Sequence, residues 1–356
     1  MQAEKIKMKK GRYIEVEEIV KYKRAAFVGR MLLGEINNEM ERIDVDEFID
    51  KPRKEIKTEL EGIKKKLQGE INKFCRQNFE GLTPLKLSNL YEPLFENSGI
   101  YKIPLTEFIE KYGKPKKGVL KNAPLHSTIH ISNWGLQSDY PERHLVNDII
   151  VSFNTIIKVE NKLKKAKESN WEEIKDDEQK KDIKNWLMTS KANKRFCLLS
   201  CFNLVESYIN GISWNFSKEF DLSILTSKKQ NILTEGERPV NIIDKLIKAP
   251  KIIGNKEHGL LQTQEPLKTF IEIIKPYRDS IVHASPFSAP IKFGGYNKLD
   301  KLYSLEFDIV LLAVEKTFEL IEEIHKITNE KYSIPTKVIE KNDDGSYTLM
   351  EEIEVN

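Results

Sequence analysis

Apolar residues recur every three or four positions through much of this chain, the mark of helices with one buried face. In 53–80 the stripe is Ile56, Leu60, Ile63, Leu67, Ile71 and Phe74, with Lys and Glu between. Such a stripe packs on another helix of the same chain or on a second copy in a short coiled coil. A helix over about 14–40 also fits, behind a basic start of Lys5, Lys7, Lys9, Lys10 and Arg12. The C-terminal half carries a stronger signal. Leu198, Phe202, Val205, Ile209 and Ile212 step by four and three, and Cys197, Cys201, Leu204 and Tyr208 form a second seam beside them. That wide apolar face makes 193–216 a core helix. A long helix from Pro141 to about 166 precedes it, with the proline near the first turn, where a missing N–H costs nothing. The almost wholly charged stretch 162–185 reads as a solvated helix end and a hinge. Further on, the pattern predicts a loop with a short helix over 217–237, a short helix around 240–247 and a loop over 254–264. A helix over 266–284 and a last long helix over 298–328 follow.

The rhythm breaks in two places. Across 81–140, Pro84, Pro93, Pro104, Pro115, Pro124 and Pro141 punctuate the chain, so short helices such as 104–112 and loops fit best. The basic turn 113–118 is a solvated loop or a phosphate contact. His126 and His130 alternate with apolar residues, as in a short strand, but no neighbouring carboxylate or Cys completes a metal site. In the tail, 334–340 and 347–355 are β-like and flank a turn signal from Asn342 to Gly345, which predicts a hairpin. The expected fold is therefore mainly α in three parts. These are an N-terminal helical region over 1–140, a helical domain over 141–330 with its core in 190–330, and a hairpin tail over 331–356.

Composition narrows the function classes. The 356 residues are 39% hydrophobic and 32% charged, enough for a core under a well-solvated surface. A net charge of +3 does not by itself call for nucleic acid. Three cysteines give no disulfide framework; Cys197 and Cys201 share a helix face as small core residues. The polar start, with no apolar stretch behind it, predicts no signal peptide. The longest aliphatic run, 309–314, is far too short to cross a bilayer, so a cytoplasmic protein without membrane partners is expected.

One segment carries chemistry: Tyr277-Arg278-Asp279-Ser280-Ile281-Val282-His283. RNA cleavage through the internal 2′-hydroxyl needs a group that takes that proton, or gives one to the leaving 5′-oxygen. Histidine titrates in the right range for either task. Cleavage also needs a fixed positive charge for the phosphorane, and arginine offers a planar fork to phosphate oxygens. No metal or other cofactor is required for that route. Five positions on a helix is about 140° of rotation, so the two side chains do not stack. A kink at Pro276, or a second copy across a dimer, could bring them to one phosphate. The purely structural alternative has Arg278 bridging Asp279 or Glu272, and His283 capping its helix C-terminus.

The Arg-Asp-Ser-Ile-Val-His run resembles the Arg-polar-x-x-x-His signature of the HEPN superfamily. The helix around Cys201–Ile212 is similar to the first helix of that domain. The resemblance covers roughly 190–330. It implies a helical bundle, often a homodimer with two motifs facing across the interface. It also implies a metal-independent endoribonuclease of antiviral defence or of a toxin–antitoxin system, acting on RNA and partnered by an antitoxin or a defence-complex protein. Under it, Arg278 steadies the phosphate, His283 is the acid–base, Asp279 orients the pair, and Glu206 is the acidic residue that some members carry on the first helix. Departures are the long connection 217–265 and Ser285, which stands where some toxins of the family have a tyrosine. Other HEPN domains keep the fold and have lost cleavage, so a non-catalytic RNA- or protein-binding module is the alternative.

Overall fold

The structure is a computed structural model. It describes residues 103–114, 123–132, 135–167, 176–234, 236, 239–284, 297–329, 339–341 and 347–349, together with Gly69, Asn72, Lys73, Cys75, Arg76, Thr83 and Lys86. The expected helix over 14–40 lies outside these residues, as do the turn signal of the tail and most of the stripe over 53–80. Gly69, Asn72, Lys73, Cys75 and Arg76, from that stripe's C-terminal end, are helical. The chain divides into two compact units between Asp139 and Tyr140.

In the first unit, β1 (Ile103–Pro104), β2 (Thr128–Ser132) and β3 (Gly135–Asp139) form an antiparallel sheet in that order. Ile129 faces Ile103 on one side and Ser138 on the other. Helix α1 (Leu105–Tyr112) leaves β1 directly and ends at Gly113, whose φ of 88° suits glycine. His126 precedes β2 in a turn, while His130 is within the strand. No group of three metal-ligating side chains occurs among the described residues.

The second unit is mainly helical. Helices α2 (Pro141–Lys167) and α3 (Asp177–Glu219) pack as an antiparallel pair: Ser207 Oγ donates to Glu142 at one end, and Lys194 Nζ meets Glu160 at the other. Then come a 3₁₀ turn (Leu222–Ile224), α4 (Ser227–Thr234), α5 (Ile242–Ile253), α6 (Leu267–Thr269), a π turn (Phe270–Ile274) and α7 (Lys275–Val282). Helices α8 (Asn297–Tyr303) and α9 (Phe307–Thr328) follow, and β4 (Ile339–Lys341) pairs antiparallel with β5 (Tyr347–Leu349). One core joins α2, the central face of α3, α5, the π turn and α9 through residues such as Phe153, Phe202, Leu246, Phe270 and Val314. Among the described residues no helix is long and apolar enough to cross a membrane.

Several boundaries differ from the sequence expectation. Helix α3 begins at Asp177, well inside the stretch expected to be a hinge, and runs for 43 residues. Asp176 caps it by accepting from the Glu178 N–H at 2.9 Å. The Lys, Glu and Gln that follow propagate a helix well even where only Ile183 is buried. Helix α5 continues through Pro250 to Ile253. The expected helix over 298–328 is two: Ser304–Glu306 separates α8 from α9. Ser304 Oγ donates back to the Asp300 carbonyl at 2.6 Å, and Glu306 is extended (φ −84°, ψ 163°).

The Lys194–Glu160 contact of 2.9 Å is asymmetric in burial: the lysine side chain is 8% exposed and the carboxylate 33%. Ser190 Oγ also donates to Glu160, at 2.6 Å. Removing the carboxylate strands the more buried charge, whereas removing the lysine leaves Glu160 bonded and near water. Glu160→Ala should therefore cost about 2 kcal/mol and Lys194→Met less than about 1 kcal/mol in urea unfolding. Equal losses would contradict this account.

Candidate functional site

The segment around Arg278 is placed by an irregular helix. Pro276 lacks an N–H, and in a regular helix its ring would clash with the carbonyl four residues back. The chain answers with the π turn Phe270–Ile274, in which the Lys275 N–H donates to the Phe270 carbonyl, five residues back. The wider turn makes room for the proline, and α7 then runs regularly to Val282. Ser280 Oγ donates to the Pro276 carbonyl at 3.0 Å. The irregularity thus ends before Arg278. It turns Arg278 and His283 as one body and leaves the angular offset between them as a regular helix sets it.

Arg278 points inward. Its Cζ lies 4.4 Å from the centre of the Phe202 ring on α3, and its side chain is 26% exposed. Nη1 donates to Asp279 Oδ1 at 3.0 Å, while Nε is buried with no hydrogen-bond partner. The other oxygen of Asp279 accepts from Lys275 Nζ at 2.6 Å. One carboxylate thus bridges two cations that share a face of α7. Burial pushes the Asp279 carboxyl up, but hydrogen bonds from Lys275 and Arg278, and their charges, outweigh it and hold the group below the usual carboxylate range. Lys301 of α8 places its Nζ 5.0 Å from the centre of the Tyr277 ring, adding a further cation beside the segment.

His283 is the residue that ends α7. Its backbone leaves the helical region (φ −110°, ψ 43°), its N–H donates to the Asp279 carbonyl at 3.0 Å, and its side chain is exposed. Both parts of the structural alternative are therefore present: Arg278 pairs with Asp279, and His283 stands at the helix C-terminus. Glu272 is exposed and is not the partner of Arg278. Glu206 stands one turn beyond Phe202 on α3, half-buried, and the structure does not bring it into an ion pair with Arg278.

The structure thus gathers Arg278 and Asp279, with His283 at the end of the same helix, and leaves Glu206 apart from the ion pairs. Two members of the cluster were not singled out in the sequence. Lys275 stands four residues before Asp279, a spacing that by itself signals a helical ion pair. Phe202 was legible as a core position, but nothing local marks it as the platform for an arginine far along the chain. Cys197 and Cys201 are buried free thiols, and burial pushes the Cys201 thiol well up, which suits inert packing rather than nucleophilic chemistry.

The lowered Asp279 carboxyl has a consequence for stability. A group whose folded value is depressed stabilises the fold above its unfolded value, about 3.9, and loses that contribution as pH falls through the folded value. Asp279→Asn should lower the melting temperature at pH 7 by about 2 °C, a modest effect because water reaches the pair. The gap to the wild type should begin to narrow below about pH 4 and close once pH falls below the folded value. A gap unchanged at pH 3 would show that the ion pairs do not hold the site. In comparisons with protein-family models, with curated proteins and with solved structures, nothing matches this chain.

Proposed function

We propose that this protein is a metal-independent endoribonuclease of the HEPN type, working from the second unit. The observation that carries the reading is the state of Arg278. It is a guanidinium held over an aromatic ring and bonded through Nη1 to Asp279, with an exposed histidine at the end of the same helix. Such a fork suits two phosphate oxygens. In the reaction the 2′-oxygen attacks phosphorus, the new 2′-O–P bond forms, and the P–O5′ bond breaks. The products are a 2′,3′-cyclic phosphate and a 5′-hydroxyl. His283 moves the proton, Arg278 stabilises the charge on the phosphorane, and Asp279 sets the angle of the guanidinium.

Because Arg278 faces α3 and His283 faces outward, a single copy presents them in different directions. A homodimer that sets two α7 helices against each other lets the Arg278 of one copy meet the His283 of the other, as the resemblance implies. A role in antiviral defence or as a toxin held by an antitoxin follows from the same resemblance. The test is incubation of the purified protein with total RNA in EDTA, beside Arg278→Ala and His283→Ala. Cleavage that requires a divalent cation, or that survives both substitutions, refutes the reading.

A second reading, a non-catalytic HEPN-type RNA- or protein-binding module, is favoured by one observation. The first half of α3 exposes Leu187, Met188 and Phe196, the methionine to 63%. That reading predicts tight partner binding unchanged in His283→Ala and no cleavage products from any RNA.

A further inference from the structure

We propose that Phe202 is a positioning residue of the ribonuclease site, acting on RNA phosphate through Arg278; the inference rests on the ribonuclease reading above. Three observations carry it. Phe202 is itself fixed: it is 2% exposed, belongs to the central core and stacks on Phe270, with ring centres 5.4 Å apart and planes 14° from parallel. It carries the guanidinium over its ring, with Cζ 4.4 Å from the ring centre. The guanidinium edge is held separately, Nη1 by Asp279 Oδ1 at 3.0 Å, while Nε is buried without a partner.

A guanidinium on a flexible stem samples many orientations, and only a few present both terminal nitrogens to one phosphate. The ring holds the centre of the group and the carboxylate holds Nη1, so two contacts at different atoms restrict its position. The Asp279 bond engages Nη1, which leaves Nη2 to meet an incoming oxygen. The buried Nε fits this arrangement. With Nε buried and unpaired, the ring contact and the Asp279 bond are the two supports of the guanidinium. Preorganised charge of this kind acts on the chemical step more than on binding.

The test compares Phe202→Leu with Phe153→Leu. Both remove one buried ring of the same core, and both keep an apolar side chain; of the two, Phe202 carries the Arg278 guanidinium over its ring, whereas Phe153 stacks on Phe307. Cleavage of a fluorophore–quencher single-stranded RNA is followed well below the melting temperature of each variant. Phe202→Leu should lower kcat about 10- to 100-fold with KM changed less than about threefold, and Phe153→Leu should lower kcat less than about threefold. A second readout needs no activity: the Nε–H resonance of Arg278, assigned by its loss in Arg278→Lys. It should be shifted by the ring current in the wild type and move to the free-arginine position in Phe202→Leu.

Equal losses in the two variants, or full cleavage by Phe202→Leu, overturn the proposal while the ribonuclease reading stands. Absence of cleavage by the wild type fails that reading and takes the positioning role with it, and a ring-shifted Nε–H then marks the stack as structural only.

Discussion

Gly254→Ala is expected to lower the stability of the second unit by about 3 kcal/mol, a drop of roughly 10 °C in melting temperature. Gly254 ends α5 in a right-handed conformation (φ −78°, ψ −4°), so its lack of a side chain is not a matter of backbone angle. The reason is close approach. A Cβ built there would be driven into the Ile327 carbonyl oxygen of α9, with the carbonyl carbon 3.0 Å away and the Pro250 oxygen at 3.2 Å. All three are backbone atoms, so no side chain can swing aside, and α5 would have to move away from α9. Both helices line the core that also holds the π turn before Arg278, so the loss should be felt throughout the unit. Gly69→Ala is the control: it is helical, nothing lies within 4 Å of its Cβ, and alanine there should be neutral or stabilising by up to about 1 kcal/mol. A melting curve for Gly254→Ala that overlays the wild type would mean that α5 and α9 are not packed this closely.

Close approaches of this kind mark the limit of what the sequence could tell. Apolar periodicity was legible: it placed the buried half of α3 and α9, because burial of a stripe is what selects those helices, while Pro141 marked the start of α2. It failed where no burial is involved. The first turns of α3 are almost wholly exposed and carry no stripe, so only the propensity of Lys, Glu and Gln and the Asp176 cap speak for helix there. The break at Ser304–Glu306 has neither proline nor glycine to announce it; a serine hydroxyl bonding back to Asp300 accompanies it instead. Pro276 announced an irregularity correctly, but not its form. A π turn absorbs the proline before Arg278 is reached, so the proline cannot bring Arg278 and His283 together. Of the cluster, the residues adjacent in sequence were legible, Arg278 and Asp279 above all. The contact with Phe202 was not, because it depends on where two distant helices meet.

Arg278→Ala and His283→Ala should each lower RNA cleavage by about 10²- to 10⁴-fold, with EDTA without effect on the wild type. Arg278→Lys should recover little. It keeps the charge but loses the planar fork, the guanidinium contact with the Phe202 ring and the pairing geometry with Asp279. Alanine at both positions should be hardly worse than the poorer single variant, since the two groups serve one transition state. The decisive measurement is mixing. If the site is composite, with Arg278 of one copy facing His283 of the other, a dimer of one Arg278→Ala and one His283→Ala chain contains one site with both defects and one with neither. Random exchange of the two inactive proteins makes about half of all dimers mixed, each with one working site of two, so about a quarter of the wild-type rate should return. A site built within one copy cannot recover by mixing, because every copy then carries a defect. The offset of roughly 140° between the two positions on a regular α7 favours the composite arrangement. Recovery near a quarter would establish both the dimer and the pairing of residues across it, and no recovery, with the single variants inactive, would place both residues at one phosphate within a single chain.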